Sequence, residues 1–280
     1  MNKDFCRAFA RNKGAMVGLI IVGLIVLVAL FADILFPASP WDMAGAPFTH
    51  PGDRGMLFGS DMLGRDIASG IAHGARVSLL VGLTSTIAAV TAGVTLGALA
   101  GFHGGWIDDA IMRFAELFQT IPNFVLVVVT VAIFTPSLTS IILAIAIVSW
   151  APLARLVRGE FLSLSSREFV QAAITCGQSN TTIIFRHILP NCLSPIIVSA
   201  SLMVATAILL ESSLSFLGLG DPNAMSWGFM VGSARTVLRQ AWWMSFFPGL
   251  AILLTVLGLN LIGEGLNDAF NPRLRRQRKA

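Results

Sequence analysis

Long apolar segments separated by shorter polar ones dominate the hydrophobic pattern of this 280-residue chain. A membrane-spanning helix needs about 20 consecutive, mostly apolar residues. Segments of about that length occupy 15–36, 77–101, 111–134, 138–154, 194–218 and 246–263. The pattern therefore predicts an all-α, polytopic membrane protein with six transmembrane helices.

Composition agrees with this pattern. Hydrophobic residues make up 55% of the chain and charged residues only 12%, and the mean hydropathy is +0.78. Soluble domains are roughly 25% charged, so this chain has too few charges to cover a water-facing surface. The basic start before the first apolar segment resembles a signal peptide, but no small-x-small cleavage site follows it. We therefore interpret 15–36 as a retained anchor.

The distribution of Lys and Arg predicts the orientation in the membrane. Six spans place both termini on one side, and that side holds 14 of the 19 basic residues. We therefore expect both termini to be cytoplasmic. The predicted organisation is a cytoplasmic N-terminus (1–14), a first span (15–36), an extracytoplasmic loop (37–76), a core of five spans (77–268) with a polar cytoplasmic loop (160–191), and a basic cytoplasmic tail (269–280). We expect the tail to contact anionic lipid rather than nucleic acid.

Motifs for nucleotide binding, zinc proteolysis and serine hydrolysis are missing from the sequence. It contains no G-x-x-x-x-G-K-[ST], H-E-x-x-H or G-x-S-x-G, so we expect neither triphosphate binding nor covalent catalysis. Asp53, Asp61 and Asp66 could hold a cation, but "DMLGRD" lacks the alternating carboxylates of a calcium loop. No C-x-x-C pair occurs, so we expect reduced cysteines without metal. The three cysteines are Cys6, Cys176 and Cys192.

Glu211 is a carboxylate within the apolar segment 194–218, whereas Glu116 lies nearer the cytoplasmic side. An acidic residue at the centre of a span raises the free energy of membrane insertion by about 3 kcal/mol. The Leu, Ile, Val and Phe residues of this span lower it by about 3–7 kcal/mol. The span should insert, with Glu211 facing protein or a water-filled path. Structural pairing and a role in translocation both remain open.

Three glycines, Gly93, Gly97 and Gly101, recur at every fourth position of the second span. They share one helix face, where bare backbone allows another helix to approach closely. Such a stripe could line a pore, but we favour internal helix packing.

The polar stretch "REFVQAAITCGQSNTTIIFRHILPN" (167–191) lies between two apolar segments. Ser165 and Glu168 fit a capping box at the start of a short helix. Gly177 permits a sharp left-handed turn after that helix. A helix, a glycine break and a second helix are therefore predicted.

The second short helix, "TTIIFRHIL", is predicted to be amphipathic. Ser179 or Asn180 can cap it, and Pro190 is expected to end it. Its apolar face comprises Ile183, Ile184 and Leu189. Such a face could lie on the lipid surface or bind a soluble partner.

The spacing Glu168-x-x-x-Ala172-Ala173-x-x-x-Gly177, followed by Ile188-Leu189-Pro190, resembles the EAA loop of ATP-binding-cassette (ABC) importer permeases. Gln171 stands where the name motif has Glu. The resemblance implies that this loop binds a groove on an ATPase subunit. The coupling residues that it implies are Glu168, Ala172, Ala173, Gly177, Ile184, Ile188, Leu189 and Pro190.

Further motifs resemble the dipeptide, oligopeptide and nickel subfamily, of the DppC or OppC type. They are "FGSDMLGRD" (58–66), "SLSFLGLG" (213–220), "SWG" (226–228), "FPGLAI" (247–252) and "NPRLR" (271–275). Gly70 departs from the subfamily, which often has Arg there.

The resemblance implies a type I ABC importer permease fold, a location in a bacterial inner membrane and a five-part assembly. Its other parts would be a homologous permease, two ATP-binding subunits and an extracytoplasmic substrate-binding protein. ATP and Mg²⁺ would bind to the ATPase subunits, and this chain would hold no cofactor or metal. The substrate could be a di- or oligopeptide, nickel or a metal chelate, or glutathione. An ion-coupled secondary transporter is the alternative from another class, although few ionisable residues lie at membrane depth. A membrane enzyme would be a third class, but this sequence contains no assembled set of catalytic residues.

Overall fold

The structure, a computed structural model, describes residues 3–270, with side chains from Phe5 onward. This part of the chain is helical, with two isolated β-bridges and no strands. Its helices are α1 (Lys3–Arg11), α2 (Lys13–Leu30), α3 (Ala32–Leu35), α4 (Ile67–His103), α5 (Gly105–Thr120), α6 (Asn123–Ile133), α7 (Leu138–Ser165), α8 (Glu168–Thr175), α9 (Asn180–Thr182), α10 (Leu189–Phe216), α11 (Trp227–Ala234) and α12 (Trp243–Phe270). The all-α prediction is confirmed. The "NPRLR" motif and all but residues 269 and 270 of the predicted tail lie outside the described residues.

Within the described residues, five helices are long and apolar enough to cross a membrane: α2, α4, α7, α12 and a continuous helix over Asn180–Phe216 that contains α9 and α10. The predicted span 111–134 is not one straight helix, because α5 and α6 meet at an 88° bend. Ile121 is extended and precedes Pro122, which disfavours a helical conformation at the residue before it. If the bent pair counts as one span, the total is six.

Some helices extend beyond the apolar segments that predict them. α4 begins at Ile67, whereas the predicted span begins at 77. The Asp66 carboxylate accepts hydrogen bonds from the amides of Ala68 and Ser69, both at 3.1 Å, and so caps the helix ten residues earlier. α7 likewise continues past 154 to Ser165. The added turns contain polar and small residues, so the apolar pattern does not predict that the helices extend through them.

The long helices run between two ends of the bundle. We call the end with α1, α8 and the last turn of α12 the terminal end, and the end with residues 36–66 and 217–242 the loop end. At the terminal end the rings of Phe5 and Phe270 lie 4.7 Å apart. Asn12 caps α2 and donates a 3.0 Å hydrogen bond to Asp268. The two ends of the described chain therefore meet at the same end of the bundle, in agreement with six spans when the bent pair is counted as one.

The glycine stripe of α4 faces α7. A Cβ on Gly97 would overlap the carbonyl oxygen of Ala154, and one on Gly101 would lie 2.8 Å from that of Arg158. Contacts this short leave no room for a side chain, so the helices pack backbone to backbone. The packing interpretation is confirmed.

At the loop end, residues 36–66 fold over the start of α12. The indole N–H of Trp243 donates a 3.1 Å hydrogen bond to the carbonyl oxygen of Ser60. The rings of Phe58 and Phe247 stack with their centroids 4.3 Å apart. The motifs "FGSDMLGRD" and "FPGLAI" are therefore in direct contact.

Candidate functional sites at the two ends of the bundle

The first helix of the 160–191 loop, α8, lacks the predicted capping box. α7 extends to Ser165, so the Ser165 hydroxyl donates to the carbonyl oxygen of Phe161 at 2.7 Å, within α7. Arg167 occupies the cap position of α8 and makes no capping side-chain hydrogen bond. Gln171 instead donates from its side-chain amide to the backbone oxygen of Ser165 at 2.8 Å. A hydroxyl that binds the carbonyl one turn back within its own helix is not available as a cap.

Gly177 makes the sharp turn after α8, as predicted. Its φ is +71°, in the left-handed region. Its amide donates to the carbonyl oxygen of Ile174 at 2.9 Å, and the Gln178 amide donates to that of Ala173 at 3.2 Å. These two hydrogen bonds form a Schellman motif, the helix ending that favours Gly at this position.

The second arm of the loop begins as predicted but does not end at Pro190. Ser179 caps it by accepting a hydrogen bond from the Thr182 amide at 3.3 Å. A π-helical turn over Ile183–Ile188 then joins α9 to α10 without a break. Pro190 lies in the first turn of α10, where a missing N–H is tolerated because the wider π turn shifts the hydrogen-bond register.

The implied coupling residues divide into buried and exposed groups. Ile188 is fully buried and Ala173 is buried, and both pack with α7 residues such as Phe161. Ile184 and Leu189 are partly buried against the same cluster. These residues hold the loop on the bundle. The implied coupling residues that are exposed are Glu168, Ala172, Gly177 and Pro190.

Three large apolar side chains of the segment 167–191 are exposed, and no sequence motif marks them. Phe169 is 44% exposed, Ile174 48% and Phe185 65%. The sequence indicates them only weakly, because the exposed face of α8 can be assigned only once Val170 and Ala173 are known to be buried. Large apolar residues on a polar loop indicate a surface that a partner covers.

Glu211, in α10 near the loop end, is 1% exposed. Its carboxylate accepts hydrogen bonds from the hydroxyls of Ser215 at 2.8 Å and Ser226 at 2.7 Å, with Ser212 at 3.5 Å. No Lys, Arg or His of the described residues forms a salt bridge with it. Its partners are therefore hydroxyls, and the carboxylate does not face an exposed surface.

The Glu211 cluster fixes the short helix α11. The Ser226 hydroxyl oxygen caps α11 by accepting from the Phe229 amide at 3.0 Å while its hydrogen is donated to Glu211. The Trp227 amide donates to Ser78 of α4 at 3.2 Å. The "SWG" motif thus ties α11 to both α10 and α4.

The acidic residues considered for a cation site serve the local backbone. Asp61 accepts from the amides of Leu63 and Arg65, each at 2.8 Å. Asp66 caps α4, and Asp53 lies in a separate 3₁₀ turn. Within residues 3–270, no cluster of three or more His, Cys, Asp or Glu side chains could hold a metal ion.

This architecture matches solved ABC importers. Residues covering 70% of the chain superpose on 93% of a chain from the inward-facing MetNI methionine ABC transporter, with a TM-score of 0.59 at 16% identity. A second crystal form of MetNI gives a TM-score of 0.58 at 18% identity, covering 71% of this chain and 95% of that one. At this identity the likeness shows the fold, which is that of a type I ABC importer permease.

Two family models match the chain and show which protein family it belongs to. Residues 93–276 match the family described as "Binding-protein-dependent transport system inner membrane component", and residues 1–51 match the "N-terminal TM domain of oligopeptide transport permease C". The chain belongs to this family of inner membrane permease components. It is therefore a non-catalytic membrane subunit that works with ATPase and permease partners, and neither an ion-coupled carrier nor an enzyme.

Relatives match along almost the whole chain. The di/tripeptide transport system permease protein DppC of Pseudomonas aeruginosa is 41% identical, over 98% of this chain and 92% of that protein. The dipeptide transport system permease protein DppC of Alkalihalophilus pseudofirmus is 43% identical, over 98% and 90%. The oligopeptide transport system permease protein OppC of Bacillus subtilis is 38% identical, over 98% and 90%.

Proposed function

We propose that this chain forms half of the membrane pathway of an importer for di- and oligopeptides. The observation that carries the proposal is its similarity, over nearly its whole length, to permeases named for di-, tri- and oligopeptides. Glutathione, itself a tripeptide, is the second candidate, because the glutathione transport system permease protein GsiD of Pectobacterium atrosepticum is 38% identical over 98% of this chain and 91% of that protein.

The proposed assembly has five parts. A homologous permease completes the pathway, two ATPase subunits bind ATP and Mg²⁺, and an extracytoplasmic binding protein delivers the substrate. The terminal end faces the cytoplasm, which is supported by the excess of Lys and Arg on that side. The chain itself needs no cofactor.

The 160–191 loop is proposed to be the surface that the ATPase binds. Its apolar residues Phe169, Ile174 and Phe185 are exposed, and a protein partner would shield them from water. Ala173 and Ile188 are buried and hold the loop against the helix bundle. A closing ATPase pair would pull this surface and favour a different arrangement of the pathway. The chain would then act by a population shift rather than by chemistry.

Glu211 is proposed to act on the pathway from within its wall. The carboxylate lies among Ser212, Ser215 and Ser226, which tie α10 to α11. It would therefore set the shape of the loop end without contacting substrate.

Uptake into proteoliposomes tests the proposed function. The complete transporter, with its binding protein outside and ATP inside, should accumulate a labelled dipeptide, and a collapsed proton or sodium gradient should not stop it. Glutathione and a nickel chelate are run in parallel. Accumulation of glutathione in place of the dipeptide would favour the second candidate, and accumulation of the nickel chelate alone would reject the peptide assignment.

The ATPase-binding surface is tested by Phe185→Ala, which removes the most exposed of the three large apolar side chains. Leu24→Ala is the matched control, since Leu24 is 58% exposed on α2, away from the loop. Phe185→Ala should reduce recovery of the ATPase with the purified permeases by about tenfold, the effect of losing roughly 1.4 kcal/mol. Equal recovery from both variants would contradict the assignment.

A further inference from the structure

An open cavity of about 350 Å³ lies at the loop end, between the last turn of α10 and α11. Phe216 and Pro222 line it on the α10 side, and Phe229 and Ser233 on the α11 side. Arg235 and Thr236, which follow α11, complete the lining. Small-molecule sites combine apolar walls with a few placed polar groups, at volumes of about 300 Å³ and above.

Arg235 gives this cavity its charge. One guanidinium N–H donates to the carbonyl oxygen of Phe216 at 3.2 Å, which holds the side chain at the cavity. No carboxylate of residues 3–270 forms a salt bridge with Arg235, whereas Arg76 and Arg158 are paired with Asp33 and Asp108. A guanidinium has several N–H donors in a planar fork, which suits a carboxylate.

Contacts between α10 and α11 hold the walls of the cavity together. Glu211 and Ser226 hold the start of α11, as described above. Further along α11, a Cβ on Gly232 would lie 2.6 Å from the carbonyl oxygen of Ser215, so the two helices touch there. A site with rigid walls loses less entropy on binding than a mobile one.

We propose that this cavity binds the C-terminal residue of the transported peptide, with the Arg235 guanidinium pairing with its carboxylate. Phe216 and Phe229 would contact the terminal side chain. This inference rests on the proposed peptide substrate. It places a recognition site on the permease itself, at the end where a binding protein would release its cargo.

Arg239 offers a matched control. It is an exposed arginine on the same side of the chain, close in sequence to Arg235, but it does not line the cavity. Arg235→Gln and Arg239→Gln therefore remove the same charge from the same face. Arg235→Lys keeps the charge but loses the fork, and should retain part of the binding.

Binding is measured directly on the complete transporter in nanodiscs, without binding protein. The probes are a dipeptide with a free carboxylate and the same dipeptide as its C-terminal amide, observed by saturation-transfer NMR. The free dipeptide should give a signal with the parent and with Arg239→Gln, and the signal should fall about tenfold or more with Arg235→Gln, as expected for loss of a charge-assisted hydrogen bond. The amide should bind weakly to all three.

Several outcomes would overturn this site. They are a parent that binds neither probe, equal signals from dipeptide and amide, and an unchanged signal with Arg235→Gln. A fourth is an Arg235→Gln variant that binds the peptide normally but loses affinity for the substrate-free binding protein, which would make the cavity a protein contact. Peptide uptake by the parent is measured alongside. If uptake is present and these tests fail, only the cavity assignment is rejected, whereas absent uptake rejects the peptide function.

Discussion

The hydroxyl of Ser226 lies 2.7 Å from a carboxylate oxygen of Glu211 and simultaneously caps α11. One side chain thus joins a buried carboxyl group to the start of a short helix. Gly228, two residues later, has no space for a side chain, since a Cβ there would lie 2.6 Å from the Cα of Ser212. Close backbone contact and a shared hydroxyl explain why "SWG" occurs opposite Glu211.

Ser226→Ala should destabilise the loop end. The variant loses a helix cap, worth about 1 kcal/mol, and removes a hydrogen bond from a buried carboxylate, worth roughly 1–3 kcal/mol. Thermal unfolding of the purified complex measures the loss. Ser233→Ala is the control, because that hydroxyl only donates to the carbonyl oxygen of Met230 within α11. Equal melting temperatures for the two variants would contradict the role of Ser226.

Glu211→Gln should lower uptake while the protein still inserts. The carboxylate accepts hydrogen bonds only, and the amide nitrogen of Gln would face a serine hydroxyl as a second donor. Glu264→Gln is the control, since Glu264 is an exposed carboxylate in the apolar helix α12. Unchanged uptake kinetics in Glu211→Gln would show that its charge is dispensable.

Gly177→Val should weaken ATPase binding without blocking insertion. A Cβ at Gly177 meets nothing within 4 Å, so the cost comes from the left-handed backbone, about 1–2 kcal/mol. Gly177→Ala should have a smaller effect, because it lacks β-branching. Gly159→Val is the control, since Gly159 lies in α7 with equally open space and an ordinary helical backbone. Insertion, ATPase recovery and uptake are measured on the same membranes, and parent-like recovery with Gly177→Val would refute the argument.

Gly97→Leu should disrupt the packing of α4 against α7. The new side chain would overlap the backbone of Ala154, and overpacking costs about 1–3 kcal/mol or more. Gly23→Leu places the same side chain on α2, where nothing lies within 4 Å. The yield and melting temperature of the purified permease distinguish the two. A stable Gly97→Leu protein would mean that the helices are less tightly packed than described.

Cysteine labelling tests the orientation. Cys6 and Cys176 are exposed at the terminal end, and Cys192 is buried. An impermeant maleimide should label the first two in inverted vesicles but not in intact cells, when the permeases are expressed without ATPase. Cys192 should stay unlabelled in both and serves as the internal control. Labelling of Cys6 or Cys176 from outside would reverse the topology.

The sequence predicts the parts of this fold that depend on short-range pattern. The apolar segments locate the spans, and Gly177 and Ser179 act through hydrogen bonds to near neighbours. The predictions that failed depend on where a helix stops. Ser165 is not a cap because α7 does not end before it, and Pro190 does not end a helix because a π turn precedes it. Neither fact is visible in the local sequence.

The Glu211 cluster shows the same limit at long range. The sequence identifies a carboxylate that needs a partner, but Ser226 is separated from it by a connection whose path only the fold determines. The sequence does not predict the roles of Phe185 and Arg235 for a related reason. The exposure of Phe185 and the cavity beside Arg235 both result from tertiary packing, which no sequence motif indicates.

The unbroken helix from Asn180 to Phe216 has a mechanical consequence. With 37 residues at about 1.5 Å each, it spans roughly 55 Å, from the surface proposed to bind the ATPase to the walls of the loop-end cavity. The helix is continuous between the two, although the π turn over Ile183–Ile188 and Pro195 mark points where it can bend. A continuous helix transmits rotation as well as displacement, so a twist applied at its start, Asn180, would also turn Glu211 about the helix axis. The number of residues between the two ends therefore sets the relative angle of their side chains about the helix axis.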